Sequence, residues 1–303
     1  MTFILTVNGK ETAWLLADRR LSAHGHTPKE DAKKILRLDA TDGSVQIGYC
    51  GLGSTSLGTE PAEWMNGVLR GRQASVESYL HLLAIAFTNE LPKHLLRIST
   101  GKIFCHTALI NGFIKNKPVL YTIDFVIEPD GKTYFTRLQN CAWHSEEKGV
   151  SFISPIGVAG SGSVAFMKNF SRMRDLKKLA MAYEARKVSV KGMLDHLALI
   201  NYEIHKETTD GTVGPRCIIV WKNRENGAFS SGGGIACYSG TDQDRDCRAV
   251  PTISNGIDVR ALTNVTFKHV LSDFIGERAG VINTDEINAD LAALPIGPDE
   301  KLR

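Results

Sequence analysis

Short apolar runs separated by turn residues dominate the first fifty positions of the chain. The runs Phe3 to Val7 and Thr12 to Ala17 flank Asn8-Gly9, the dipeptide that most strongly favours a tight hairpin turn. A second pair of runs, Lys34 to Leu38 and Ser44 to Cys50, has the same form. The chain is therefore predicted to begin with two β-hairpins.

Blocks of helices and blocks of strands then follow each other along the chain. Apolar residues spaced three or four apart predict helices at Pro61 to Leu69 and Val76 to Leu91. The remaining predicted elements are strands at Ile103 to Leu109, Val119 to Ile127, Tyr134 to Leu138 and Phe152 to Ala159, helices at Ser163 to Arg186 and Val188 to Lys206, and strands at Arg216 to Lys222 and Gly234 to Tyr238. Two sheets packed face to face, with a helix pair on each outer face, would bury every apolar stripe. The pattern predicts an α+β fold, a four-layer αββα sandwich.

Residues 241–303 differ from the rest of the chain. They contain 11 acidic and 7 basic residues, so they carry −4 while the preceding body carries +7. Only Val265 to Phe274 has a helical pattern there, and Pro295 and Pro298 interrupt the end. We therefore expect a main domain at 1–240 and an acidic C-terminal appendage of unknown role at 241–303.

Composition excludes several classes of protein. Of 303 residues, 43% are apolar and 23% charged, which is ordinary globular usage. A net charge of +3 is too small to predict a nucleic-acid partner. No apolar stretch approaches the roughly 18 residues of a membrane span, and the N-terminus lacks the basic leader of a secretory signal. Six cysteines without a C-x-x-C pair favour a reduced, cytoplasmic protein.

The common cofactor and metal motifs are incomplete. Gly160-Ser161-Gly162 lacks the Gly-Lys-Ser/Thr that completes a phosphate-binding loop, and no G-x-S-x-G elbow exists. His24-Gly25-His26 has no neighbouring cysteine or carboxylate cluster that would complete a metal site. We therefore expect neither a cofactor nor a metal.

The start of the chain offers a candidate nucleophile. A hydroxyl group needs a base to take its proton, and a free α-amine, with a pKa of about 7.7–8.0, is a suitable one. Thr2 follows Met1, and a small second residue permits removal of that methionine. A Thr2 exposed in this way would carry both the hydroxyl and the base.

Several short motifs follow this threonine along the sequence. Asp18-Arg19-Arg20-Leu21-Ser22 follows the second strand, Lys33-Lys34 begins the third, and Gly48-Tyr49-Cys50-Gly51-Leu52-Gly53 leads into the first helix. Gly160-Ser161-Gly162-Ser163 opens a later helix, and Asp210 lies three residues before Val213-Gly214. Residues 2 to 240 thereby resemble the proteasome β-subunit family of N-terminal-nucleophile hydrolases, particularly its bacterial two-component protease branch.

The resemblance implies a role for each matching residue. Thr2 would be the nucleophile, Lys34 would lower the pKa of its amine, and Asp18 would hold Lys34 charged. The backbone N–H of Gly51 would stabilise the oxyanion. The other roles implied are orientation of the Thr2 amine by Ser161 and Asp210, and substrate binding by Arg20, Ser22, Tyr49 and Gly53.

One position departs from the family pattern. Val213 stands where the family usually has a serine, so one hydroxyl of the proton relay is missing unless Thr212 or a water replaces it. The resemblance implies a threonine peptidase in a homo-oligomer, with a ring possible, acting on a peptide or protein substrate; an ATPase partner is not identified. Two alternatives stay open, namely a non-catalytic scaffold of the same fold and an amidase acting on a small amide.

Overall fold

The computed structural model describes residues 2–21, 29–51, 53–54, 58–95, 106–127, 134–141, 156–208, 211–229, 232–245, 247, 250–275 and 284–295. The strands are β1 (Phe3–Asn8), β2 (Thr12–Asp18), β3 (Ile35–Ala40), β4 (Gly43–Cys50), β5 (His106–Ile114), β6 (Lys117–Ile127), β7 (Tyr134–Asn140), β8 (Ile156–Gly160), β9 (Arg216–Asn223), β10 (Gly233–Ser239), β11 (Asp242–Asp244), β12 (Thr252–Ser254) and β13 (Ile257–Asp258). The helices are α1 (Pro61–Leu69), α2 (Val76–Leu95), α3 (Gly162–Lys168), α4 (Phe170–Glu184), α5 (Val190–Glu207), α6 (Val259–Ile275) and α7 (Thr284–Ala292).

Within these residues the strands form two sheets. One has the order β11-β10-β9-β2-β1-β8 and the other the order β13-β12-β3-β4-β5-β6-β7. The two predicted hairpins, β1–β2 and β3–β4, are antiparallel pairs that lie in different sheets. The mixed α+β class predicted from the sequence is confirmed.

Three apolar clusters bury the faces of these sheets. In the first, Trp64 and Leu80 of the helices α1 and α2 pack with Ile47 of β4. In the second, side chains of α3, α4 and α5 pack on β1, β2, β9 and β10. The third joins residues of both sheets, including Ile4 of β1 and Leu109 of β5. Both sheets therefore have helices on one face and contribute to a shared core.

The long helix predicted at Ser163 to Arg186 is two helices. Asn169 lies between α3 and α4 with φ −110° and ψ 90°, outside the helical region. Its side chain accepts a hydrogen bond from the backbone N–H of Ser171, which caps the start of α4. The polar cap ends the periodicity that the apolar residues alone would continue.

Residues 241–303 contain more regular structure than the one helix expected from the sequence. β11 pairs with β10 in the first sheet, and β12 pairs in parallel with β3 in the second. Val250 and Ile253 are buried, with 5% and 0% of their surface exposed. Strands from both sides of residue 240 thus pair with each other, whereas α7 buries none of its residues.

A disulfide links Cys237 of β10 to Cys247, just beyond β11. The expectation of reduced cysteines is therefore wrong for this pair. The β10–β11 pairing, which places Cys237 opposite Asp244, folds the chain back and brings the two cysteines together. Two cysteines ten residues apart carry no such signal in the sequence, because the short strand between them was not predicted.

Candidate active site

Thr2 lies at the start of β1, where strand ends from both sheets meet. Only 4% of its surface is exposed. β1 is an inner strand, paired with β2 on one side and β8 on the other. The register that pairs Ile4 with Ala17 carries Asp18, the last residue of β2, to the level of Phe3. The hairpin geometry alone therefore brings Asp18 next to Thr2.

Asp18 is fully buried and is held by backbone donors. Its Oδ1 accepts a hydrogen bond from the Phe3 N–H at 2.7 Å. Its Oδ2 accepts from the N–H groups of Arg20 at 3.1 Å and Gly214 at 3.2 Å. Such N–H donors stabilise a carboxylate away from water and fix its orientation.

Lys34 connects the second sheet to this group. It directly precedes β3 and is 1% exposed. Its Nζ donates to Thr2 Oγ1 at 2.8 Å, to Asp18 Oδ1 at 3.1 Å and to the Arg20 carbonyl at 2.5 Å. All three donor positions of an ammonium group are thereby used. Burial lowers the pKa of Lys34 below its usual value, while the negative charge of Asp18 opposes that shift.

Gly51 follows β4 on the same side of the molecule. Its φ of +138° is a backbone conformation that residues other than glycine rarely adopt. A Cβ at this position would lie 2.5 Å from His106 Nδ1 and 2.8 Å from the Tyr49 hydroxyl. Both the backbone angle and the close packing require glycine here.

Ser161 and Thr212 contribute paired hydroxyl groups. Ser161 Oγ lies 2.8 Å from Thr212 Oγ1 and donates a longer hydrogen bond, 3.5 Å, to the Thr2 carbonyl. The neighbouring Val213 is fully buried in the apolar cluster beneath the helices α3 to α5. Valine therefore fills a core position, and the neighbouring Thr212 places its hydroxyl beside Ser161.

The remaining predicted site residues have different positions. The guanidinium of Arg20 contacts Glu30 and donates to the Gly211 carbonyl at 2.6 Å, which links two loops beside Lys34. Tyr49 is 5% exposed, and its hydroxyl lies 2.8 Å from His106 Nδ1. Gly53 lies in the described turn after β4. Ser22 and Asp210 lie outside the described residues, as do His24 and His26.

The described residues contain neither a candidate metal cluster nor a helix that could span a membrane. No group of three or more His, Cys, Asp or Glu side chains in this part of the chain is arranged to hold a metal ion. None of the helices in the same part is both long and apolar enough to cross a bilayer.

Comparisons with known proteins give distant structural similarity. No protein-family model matches the chain, and neither does any curated protein. Among solved structures, the chain is similar to a mutant of Anbu from Hyphomicrobium sp. strain MC1, with 13% identity over 93% of this chain and 100% of that one, and a TM-score of 0.43. It is also similar to Anbu, an ancestral beta-subunit, from Yersinia bercovieri, with 12% identity over 73% and 82% of the two chains and a TM-score of 0.43.

A third similarity is to the helical assembly of the Anbu complex from Pseudomonas aeruginosa. The identity is 11% over 93% of this chain and 99% of that one, with a TM-score of 0.44. At these scores the similarities carry no argument about chemistry.

Proposed function

We propose that this protein is an N-terminal threonine hydrolase that cleaves amide bonds in peptides, with Thr2 as the nucleophile. The observation that carries the proposal is the buried chain of contacts from Asp18 through Lys34 to Thr2 Oγ1, with distances of 3.1 and 2.8 Å. Lys34 is 1% exposed, and burying a charged group is costly unless it is paired and hydrogen-bonded. A lysine buried beside a hydroxyl group therefore needs a functional reason. Activation of that hydroxyl is such a reason.

The reaction would proceed in two balanced steps. Thr2 Oγ attacks the amide carbonyl carbon, its proton passes to the free Thr2 α-amine, and that proton then goes to the departing amine as the C–N bond breaks. The acyl group is now an ester on Thr2. Water attacks this ester with help from the same amine, which releases the acid and restores the hydroxyl. The Gly51 N–H is proposed to stabilise the oxyanion in both steps.

Lys34 and Asp18 are proposed to prepare Thr2 for this reaction. A positive charge on Lys34 Nζ stabilises negative charge that develops on Oγ and favours the unprotonated form of the nearby amine. Asp18 supplies the opposing charge that keeps an ammonium group tolerable in this buried position. The Ser161–Thr212 hydroxyl pair is proposed to orient the Thr2 end of the chain, together with Asp210.

The decisive experiment compares Thr2→Ala with Thr2→Ser on fluorogenic peptides, with intact-mass measurement of each protein. We expect loss of Met1 in wild type and in both variants, and a drop of at least about a thousand-fold in kcat for Thr2→Ala. Thr2→Ser keeps a hydroxyl on the same backbone and should retain measurable turnover. Equal turnover by wild type and Thr2→Ala would contradict the proposal, and a retained Met1 would favour the non-catalytic scaffold.

The broader arrangement is also proposed. We infer an αββα layer order, because the apolar clusters lie on the helix-covered faces and between the sheets. From the sequence resemblance we further propose a homo-oligomer that encloses its sites. The cytoplasmic location expected from the sequence stays a proposal, and so does a main domain at 1–240, to whose sheets β11 and β12 add strands. Native mass spectrometry tests the assembly, since a ring requires one large defined multiple of 33.2 kDa. A monomer that cleaves small amides would support the amidase alternative.

A further inference from the structure

A buried histidine that the proposed mechanism does not use lies against the glycine at the site. His106 begins β5 and is only 2% exposed. The pairing of Cys50 with Thr107 places it opposite Gly51 in the antiparallel β4–β5 ladder. Its Nδ1 lies where it would be 2.5 Å from any Cβ at position 51. The imidazole is therefore packed so closely beside Gly51 that it leaves no room for a Cβ there.

The ring of His106 is fixed by neighbours on several sides. Its Nδ1 lies 2.8 Å from the Tyr49 hydroxyl. The Tyr49 ring stacks with it at a centroid distance of 6.4 Å, and the Phe125 ring meets it edge-on at 5.9 Å. Tyr49 in turn stacks on Phe87 of α2 at 5.3 Å. The imidazole thus connects Gly51, through Tyr49, to the helix-covered core of the second sheet.

His106 is an uncharged ring at neutral pH, as expected for a side chain that packs against its neighbours. Burial lowers the pKa of His106 to about 4, so the ring is neutral near pH 7. A neutral ring next to an oxyanion donor adds no competing charge that would attract water or a carboxylate. Its Nε2 is buried and has no hydrogen-bond partner among the described residues. The contact with Tyr49 is then the hydrogen bond that sets the ring's orientation.

We propose that His106, held by Tyr49, is a positioning residue that fixes the Gly51 peptide in the orientation needed to stabilise the oxyanion. This inference rests on the proposed threonine chemistry and assigns a role that the sequence motifs did not contain. It also gives the Tyr49 hydroxyl a partner within the protein, where the sequence resemblance implied contact with substrate. Because an oxyanion donor acts only when negative charge develops, mispositioning it lowers kcat and leaves KM unchanged.

Four variants test the role of the Tyr49–His106 contact. Tyr49→Phe removes only the hydroxyl group, and His106→Leu removes the ring nitrogens. His106→Asn places an amide near the Nδ1 position and can keep the contact with Tyr49, whereas His106→Gln places its amide near Nε2. We expect kcat to fall about 10- to 100-fold in Tyr49→Phe, His106→Leu and His106→Gln, with KM within about twofold of wild type. His106→Asn should recover most of the activity.

A peptide boronic acid supplies a second readout. Its boron accepts the Thr2 oxygen and becomes tetrahedral, which imitates the addition intermediate, so its affinity should fall in parallel with kcat. Thermal unfolding of each variant identifies losses caused by misfolding, and Tyr49→Phe serves as the mildest change. If wild type is active and all four variants keep wild-type kcat and boronate affinity, the positioning role is wrong while the proposed function stands. If wild type neither cleaves peptides nor binds the boronate, both are overturned.

Discussion

At the scale of single residues, the site depends on a charged pair placed where water cannot reach it. Lys34 and Asp18 are 1% and 0% exposed, and their charged atoms are 3.1 Å apart. Replacing such a pair with apolar side chains is often neutral for stability, so stability alone is a weak reason for its presence. The proposed chemical role rests on the direct contact of Lys34 with Thr2 Oγ1.

The same scale gives a pH dependence for His106. Its pKa is about 4 in the folded chain and 6.5 in the unfolded chain, so the unfolded chain binds more protons between these values. Stability is therefore fully present above about pH 6.5 and falls as pH decreases towards 4. We expect His106 to account for a loss of at most about 3 kcal/mol over that range. Urea unfolding of wild type at several pH values measures it.

His106→Asn is the matched control for this pH series, because it lacks the titrating ring and keeps an amide near Tyr49. The difference in unfolding free energy between wild type and this variant should shrink or reverse as pH falls from 6.5 to 4. A difference that stays constant over that interval would show that His106 does not have the lowered pKa.

The grouping of the candidate site residues is predictable from the sequence only through the family resemblance. Hydrophobic periodicity places Thr2 and Lys34 at the starts of two strands, and nothing in it says that these strand ends meet. His106 carries no signal in the sequence, since a lone histidine at a strand start belongs to no motif. The position of Thr212 beside Ser161 is likewise not predictable, because adjacent strand or loop residues point to different sides and the sequence does not say which side faces Ser161.

At the scale of elements, local signals predicted local structure well. The helix α1 matches its prediction residue for residue at Pro61–Leu69, and the β1–β2 hairpin follows from its Asn8-Gly9 turn. The short strands β11 and β12 were missed because three residues carry too little periodicity, and β12 gains its hydrogen bonds from β3, more than two hundred positions away.

The disulfide between Cys237 and Cys247 gives a prediction at this scale. It closes a short loop with a sequence separation of 10. A loop of this length stabilises the folded chain by about 3 kcal/mol if it acts by restricting the unfolded chain. We expect dithiothreitol to lower the unfolding free energy of wild type by about that amount. The double variant Cys237→Ala/Cys247→Ala should not respond to the reductant, and an equal response would contradict the bond.

At the scale of the whole molecule, each of the two sheets contains at least one strand from the C-terminal part of the chain. β11 extends the first sheet and β12 extends the second, while Val250 between them is buried. This part of the chain therefore connects the outer edges of both sheets. The sequence shows the acidic composition of this part of the chain, but it does not predict that this part adds strands to both sheets.

Two truncations test which part of the C-terminal region belongs to the body. Ending the chain after Gly240 removes β11, β12 and the buried side chains of Val250 and Ile253. Loss of those two side chains costs about 3 to 6 kcal/mol, so Tm should fall by about 6 °C or more. Ending it after Ile275 removes α7, which buries none of its residues, and should change Tm little. If both truncated chains kept the wild-type Tm, the body would end at residue 240.

The burial of Thr2 has a practical consequence for recombinant material. With 4% of this residue exposed among the ends of β2, β3 and β8, any peptide attached to its nitrogen has to share that crowded space. On the proposed mechanism, an affinity tag at the N-terminus would block the Thr2 α-amine and abolish peptide cleavage. A tag at the opposite terminus, beyond the exposed α7, avoids this interference.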